Sequence, residues 1–275
     1  MSLSIDLDAY FRRIGYSGPR EPTLETLRGL HRLHPQAIAF ENLDPLTDVT
    51  PALDLEGLQA KLVAGGRGGY CFEQNGLFLA VLQALGFEAQ GLAARVVWMR
   101  PPELAGGRTH MLIRVVLPEG VFLADVGFGG VVLTAPLRFV AGPEQDTGHG
   151  VLRLVDVGEG ELQLQFRTGD GFQPKYVLSE LPQTAADYEL ANWFVATHPS
   201  SIFRNGLMCA RVAEDHRLGL FNGELSIRWR DGRVEKRSLD LDGVCAVLVE
   251  GFGLPAAAVE TARPAIERVL EAAKT

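Results

Sequence analysis

The chain has 275 residues, of which 47% are hydrophobic and 22% charged, so disorder and collagen-like repeats are excluded as descriptions of the whole. Lys and Arg number 26 against 34 Asp and Glu, a net charge of −8 with no basic block, which argues against nucleic acid or an anionic membrane as partner. The longest uncharged stretches, such as residues 74–87, are too short to span a bilayer, and MSLSIDLDAY has no basic segment before an apolar run, so a cytoplasmic protein is expected.

In chain order, the spacing predicts helices over 6–14 and 23–34, the second with Leu24, Leu27, Leu30 and Leu33 on one face. A non-helical FENLDPL (40–46) follows. A helix over 54–64 has Asp54 as cap and Gly65-Gly66 as its end. Another runs from Cys71 to Leu85, stopped by Gly86. From 88 the texture changes to short segments rich in β-branched and aromatic residues: 91–98, 109–117, 121–126, 151–155, 161–167 and 172–178, read as antiparallel strands of a sheet or small barrel. Residues 187–196 read as helix, 224–230 and 233–239 as a hairpin around Asp231-Gly232, and 242–251 and 262–273 as closing helices. The resulting division is a helical part over 1–87, a β part over 88–185 and a smaller α/β part over 186–275.

The three cysteines, Cys71, Cys209 and Cys245, are far apart and form no CxxC, and the six histidines form no HxxxH-type pair beyond His31 and His34, so neither a disulfide framework nor a metal site is expected. Cys71 stands out because Gly65-Gly66-Arg67-Gly68-Gly69-Tyr70 precedes it and it opens a long helix. A helix N-terminus stabilises a thiolate, and its N–H groups suit a developing oxyanion. The glycines are expected to allow positive φ and close approach of a substrate. No GK[ST] follows and no GxGxxG is completed, so this is not a phosphate loop. A thiolate needs a base. His110 lies in the apolar strand RTHMLIRVVL, and Asp125 in the next strand, VFLADVGFGG, where an acid among Leu123, Ala124, Val126 and Phe128 is costly unless paired. Adjacent strands bring side chains within about 5 Å, so Asp125 orienting His110, and His110 activating Cys71, satisfies all three. Cys209 and Cys245 sit in apolar runs and read as core residues. His31 and His34, on a helix whose apolar face is leucine, read as surface residues; His149, His198 and His216 fall in loops.

RGGYCFEQN, TH before an apolar strand and DVGFGG, in this order, resemble the three triad segments of the arylamine N-acetyltransferase family. The resemblance extends to YFRRIGYSG (10–18), PTLETLRGLHRLH (22–34), FENLDPL, TAPLRF (134–139) and HPSSIFRNGLMCAR (198–211), and it fades toward the C-terminus. It implies an α+β fold: an N-terminal helical domain, a central antiparallel β-barrel and a C-terminal α/β lid around a cysteine-protease-like core. It also implies acetyl transfer from acetyl-coenzyme A, by double displacement through acetyl-Cys71, to an arylamine, arylhydrazine or N-hydroxyarylamine. Acetyl-coenzyme A is then a cosubstrate, and no metal or permanently bound cofactor is implied. Carried over by position, Thr109, Phe128, Gly129 and Phe203 line the cleft, Trp229 lies where the lid would meet coenzyme A or is a cross-strand aromatic of its hairpin, and Glu41 with Arg67 forms a buried structural ion pair. Three other readings stay open: an amide synthase of the same family moving a longer acyl chain, a cysteine hydrolase, and a non-catalytic binding protein on an inherited fold. No sequence signal sets an oligomeric state.

Overall fold

The structure is a computed structural model that describes residues 4–98, 106–169 and 171–273. Helix α1 (Leu7–Ile14) starts where the Asp6 carboxylate accepts the Ala9 N–H and ends at Gly15, with φ 70°. Helix α2 (Leu24–Ala37) is capped by Thr23 and runs through Pro35, beyond the predicted end. Strand β1 (Phe40–Glu41) and the single turns α3 (Leu43–Leu46) and α4 (Leu55–Leu58) follow; α4 is capped by Asp54 and continues as a π-helical segment over Gln59–Ala64. Helix α5 (Cys71–Ala84) ends before Gly86, which adopts φ 85°.

Eight antiparallel strands come next: β2 (Glu88–Val96), β3 (His110–Leu117), β4 (Gly120–Ala124), β5 (Leu137–Arg138), β6 (Gln145–Asp146), β7 (Val151–Gly158), β8 (Glu161–Thr168) and β9 (Gly171–Ser179). Their spatial order is β5-β4-β3-β2-β9-β8-β7-β6. The two outer strands are joined by the Gln145 side chain, which bonds the Arg138 N–H at 2.7 Å and the Arg138 carbonyl at 3.0 Å, so the barrel is nearly closed. Inward residues such as Leu92, Leu112, Leu123, Leu154, Leu164 and Tyr176 fill it.

The remaining chain folds as helices α6 (Ala185–Thr197) and α7 (Ile202–Asn205), strands β10 (Met208–Val212), β11 (His216–Phe221), β12 (Glu224–Trp229) and β13 (Val234–Ser238), then α8 (Leu241–Glu250) and α9 (Ala256–Ala272). The second sheet is ordered β1-β10-β11-β12-β13, so the short strand after α2 is its edge and ties it to the helical part. Strands β10 and β11 lie outside the predicted elements, and α9 begins at Ala256 instead of 262. Gly232 turns the β12–β13 hairpin with φ 89°. Among the described residues no helix is long and apolar enough to cross a membrane.

Helix α5 is positioned by packing. Leu77, Phe78, Val81 and Leu82 meet Tyr10, Leu27 and Leu30 from α1 and α2, and Ile113, Val115 and Phe122 from the barrel strands. Burying each such side chain contributes roughly 1.5–3 kcal/mol. The opposite layer, α8 and α9 on the second sheet, has its own core around Leu220, Val244, Leu248, Phe252 and Ile266.

The surface placement of His31 and His34 is corrected here: both are wholly buried. The buried stripe of α2 is Leu27, Leu30, His31 and His34, an i, i+3, i+4, i+7 set, while Leu24 and Leu33 are only partly covered. His34 accepts the Tyr10 hydroxyl at Nδ1 (2.8 Å) and donates from Nε2 to Gln74 Oε1 (2.6 Å); burial lowers its pKa to about 3.

Candidate active site

The three elements converge at the first turn of α5. Cys71 is 4% exposed, and its Sγ lies 3.6 Å from the carbonyl oxygen of Thr109, the residue before His110. Backbone N–H groups of Met111 and Phe72 favour its thiolate. Two glycine contacts allow close packing around the head of α5, one against the barrel side and one against the segment leading into β1. A Cβ on Gly127 would meet the Cys71 Cα at 2.9 Å and Asn75 Nδ2 at 2.8 Å, and one on Gly68 would meet the Ala39 carbonyl at 2.1 Å. Of the glycines before Cys71 only Gly66 has positive φ (65°), so Gly68 and Gly69 serve close packing against β1 and Glu73 rather than backbone reversal.

The expected lowering of the thiol pKa is not found for the thiol alone. Burial pushes Cys71 up to about 12; the Met111 and Phe72 N–H groups oppose this, while the Asp125 and Glu73 carboxylates add to it. A helix N-terminus is worth less than the loss of water around a fully enclosed sulfur. A thiolate is therefore favourable here only when its proton stays in the site as a counter-charge.

His110, 3% exposed, directly follows Thr109, whose carbonyl oxygen the Cys71 sulfur contacts. Its Nε2 donates to Asp125 Oδ2 at 2.9 Å, and its Nδ1 makes no hydrogen bond among the described residues. The Asp125 side chain is wholly buried and accepts three further hydrogen bonds: from Tyr176 Oη at 3.1 Å, Asn75 Nδ2 at 3.1 Å and the Gly127 N–H at 3.1 Å. Burial raises its pKa, but the His110 pair, Lys175 and Asn75 outweigh this and hold the carboxyl far below the usual range. The Asp125 N–H donates to His31 Nε2 at 3.1 Å, so α2 braces the site from behind.

Asn75, Tyr176, His31 and Lys175 escaped the sequence reading. Asn75 had a visible signal, a polar residue one turn after Cys71 on an apolar helix; it bridges α5 to the Met111 carbonyl (2.7 Å), the Val126 N–H (3.0 Å) and Asp125.

Phe128 stands with its ring edge-on to His110, centroids 5.1 Å apart, and near Tyr176 at 5.5 Å. Gly129 has φ 84° and lies against the Phe40 ring, so a Cβ there would be strained. Phe203 packs against Tyr70 and Phe40, with centroids at 5.6 and 6.1 Å, which puts it on the Tyr70 side of the nucleophile. Trp229, at the end of β12, pairs across to His216 and carries the Arg233 guanidinium 4.0 Å over its ring, contacts within its own hairpin and the neighbouring strand. Cys209 is buried on β10, while Cys245 is only half-buried on α8.

Glu41 and Arg67 belong to a larger ionic group. Arg67 Nη2 lies 2.7 Å from Glu41 Oε1 and 2.8 Å from Asp44 Oδ1; Lys61 Nζ lies 2.6 Å from both Asp44 Oδ2 and Glu73 Oε1. Glu73 in turn accepts the Tyr70 N–H at 3.1 Å, at the start of α5. Among the described residues no cluster of His, Cys, Asp and Glu has the form of a metal site.

A nearly closed antiparallel barrel set against a helix that begins with a cysteine is the arrangement of a cysteine-protease-like core. The family model for N-acetyltransferases matches residues 23–260. The arylamine N-acetyltransferase of Mycolicibacterium smegmatis is 41% identical over 257 residues, covering 92% of this chain and 93% of that protein. The solved structure of the Mycobacterium marinum arylamine N-acetyltransferase superposes with a TM-score of 0.93 at 43% identity, covering 96% of this chain and all of that one. The same enzyme in complex with CoA gives 0.92 at 43% identity, covering 96% and 99%. The chain belongs to the arylamine N-acetyltransferase family.

Proposed function

We propose that this protein transfers the acetyl group of acetyl-coenzyme A to an arylamine, arylhydrazine or N-hydroxyarylamine by double displacement through Cys71. The observation that carries this reading is the Cys71 sulfur at the head of α5, 3.6 Å from the Thr109 carbonyl just before His110, a histidine whose Nε2 is held by a buried, four-fold hydrogen-bonded aspartate.

Cys71 Sγ gives its proton to His110 Nδ1, and Asp125, bound at Nε2, fixes that tautomer and stabilises the imidazolium. The thiolate attacks the thioester carbonyl carbon, and the N–H groups beside the sulfur face the developing oxyanion. The carbon–sulfur bond to coenzyme A breaks, and the departing thiolate takes the proton from His110. The acceptor nitrogen then attacks acetyl-Cys71 and yields its proton to Nδ1, and the Cys71 sulfur leaves. One thioester replaces another in the first half, so little free energy is lost before the amide forms. Thr109, Phe128, Gly129 and Phe203 line the cleft in this reading, with aromatic faces suited to a stacked aryl ring. Trp229 is read either on the coenzyme A side of the lid or as a cross-strand aromatic, the role its pairing with His216 supports, and Glu41 with Arg67 is assigned to architecture.

Coenzyme A release with and without an arylamine tests the assignment. A transferase releases one equivalent without acceptor and turns over only when the amine is added. Sustained release in water alone would make the protein a hydrolase, and no release from acetyl-coenzyme A with or without amine would remove the acetyl-transfer reading.

A further inference from the structure

The chain contains only four lysines, Lys61, Lys175, Lys236 and Lys274. Lys175 is wholly buried beside the catalytic aspartate. Strand β9 brings it there through a bulge. Against β8, Tyr176 pairs with Leu164 and Pro174 with Gln165, so Lys175 has no partner across the ladder, and both it and Tyr176 are completely buried. A bulge breaks the in–out alternation and turns an otherwise outward residue into the interior. The Lys175 Nζ then lies 3.8 Å from Asp125 Oδ2 and 4.1 Å from the centroid of the Phe128 ring, with no hydrogen bond. At 3.8 Å the contact to Asp125 is an ion pair, not a hydrogen bond.

We propose that Lys175 is a positioning residue for the triad: its ammonium, seated between Asp125 and Phe128, neutralises the aspartate so that Cys71 and His110 can ionise together without leaving a net negative charge in the enclosed site. The proposal rests on the triad reading above and follows from counting charge. The thiolate and Asp125 carry two negative charges; the imidazolium supplies one positive charge and Lys175 the second. Moving the proton from Cys71 to His110 leaves the sum unchanged, so without Lys175 the site holds an uncompensated negative charge before and after that step, which is expensive away from water and works against a second anion on the sulfur. The cation also fixes Phe128, the ring edge-on to His110, by a cation–π contact. The groups facing Lys175 come from every surrounding element: Asp125 after β4, His110 on β3, Tyr176 beside it on β9, His31 on α2 and Arg217 on β11, whose charge opposes it. Burial lowers the lysine pKa to about 7 and Asp125 pulls it back up, so its charge depends on the aspartate it serves.

The test compares the pH dependence of Cys71 alkylation by iodoacetamide, and of acylation by acetyl-coenzyme A, in wild type and Lys175→Met. Removing a positive charge disfavours the thiolate, so the inflection should rise by roughly one pH unit and the acylation rate below it should fall about tenfold. A folded Lys175→Met protein with an unmoved inflection would make the lysine merely structural. The second measurement needs no substitution: lysine-selective 13C NMR of wild type, where four side chains titrate. Alkylating Cys71 leaves His110 without its proton, frees Asp125 for the lysine, and should move the Lys175 midpoint up; an unchanged midpoint would overturn the coupling. If wild-type Cys71 is neither labelled nor acetylated, the triad reading fails first. If it is, and neither shift occurs, only the role of Lys175 fails.

Discussion

Two buried ionic groups flank Cys71, and they are built differently. On the helical side, Glu41, Asp44, Lys61, Arg67 and Glu73 form a chain of contacts of 2.6–2.8 Å, with Lys61, Arg67 and Asp44 still 16–19% exposed. On the barrel side, His110, Asp125 and Lys175 are at most 3% exposed, yet His110 Nδ1 and Lys175 Nζ have no hydrogen bond among the described residues. The first group is saturated and fixes the glycine turn and the head of α5. The second keeps a lone pair and an ammonium unsatisfied. In the proposed reading His110 is the group that changes protonation, and it sits in the set whose ring nitrogen and ammonium are less committed to neighbours, although its aspartate is fully bonded.

The sharpest way to break this contrast is Cys71→Ser. Transfer should drop to background while circular dichroism and thermal unfolding stay close to wild type, because an alkoxide is far harder to form than a thiolate. Next is Asp125→Asn, which keeps the shape but favours the wrong tautomer of His110; a loss of several powers of ten in acylation is expected by analogy with the serine triad. A folded Asp125→Asn protein with unchanged turnover would move Asp125 into the scaffold group. On the other side, Glu41→Gln leaves Arg67 with less compensation and should cost about 3 kcal/mol in urea unfolding. Turnover per folded molecule should fall far less than in Asp125→Asn; an equal fall would erase the distinction.

A smaller effect comes from the buried histidines. Burial lowers His31 to about 4 and His34 to about 3, below the unfolded value of about 6.5. The unfolded chain takes up these protons first as the pH falls. The stability they contribute is therefore present above pH 6.5 and lost as the pH falls toward about 4 for His31 and about 3 for His34, at up to about 1.4 kcal/mol per pH unit for each. His34→Gln should flatten the urea midpoint against pH by one such share; an unaltered slope would mean His34 is not carried neutral into the fold. Smallest of all, Cys245→Ser on the half-buried face of α8 should shift stability by about 0.5 kcal/mol or less and leave iodoacetamide labelling of Cys71 unchanged.

Much of this was legible in the residues. Cys71 at the head of α5 and His110 at the first position of β3 stand on the elements that motif and periodicity gave them, while Asp125, expected within its strand, follows the end of β4. What was hidden has physical causes. A leucine stripe drew attention to the wrong edge of α2, whose buried face carries its histidines because Tyr10, Gln74 and the Asp125 N–H supply their partners. Lys175 was invisible because period-two alternation does not survive a bulge, and a lysine in a strand reads as solvent-facing. The thiol pKa was misjudged because the sequence shows a helix start but not the depth of its enclosure.

The central claim is that Cys71 carries the acetyl group. Mixing the protein with acetyl-coenzyme A and no amine, then measuring intact mass and mapping peptides, tests it most directly. One acetyl group on the Cys71 peptide, matched by one equivalent of free coenzyme A and discharged on adding an arylamine, is the expected result. An unmodified protein that still acetylates the amine, with intersecting double-reciprocal kinetics, would show direct transfer in a ternary complex and contradict the account.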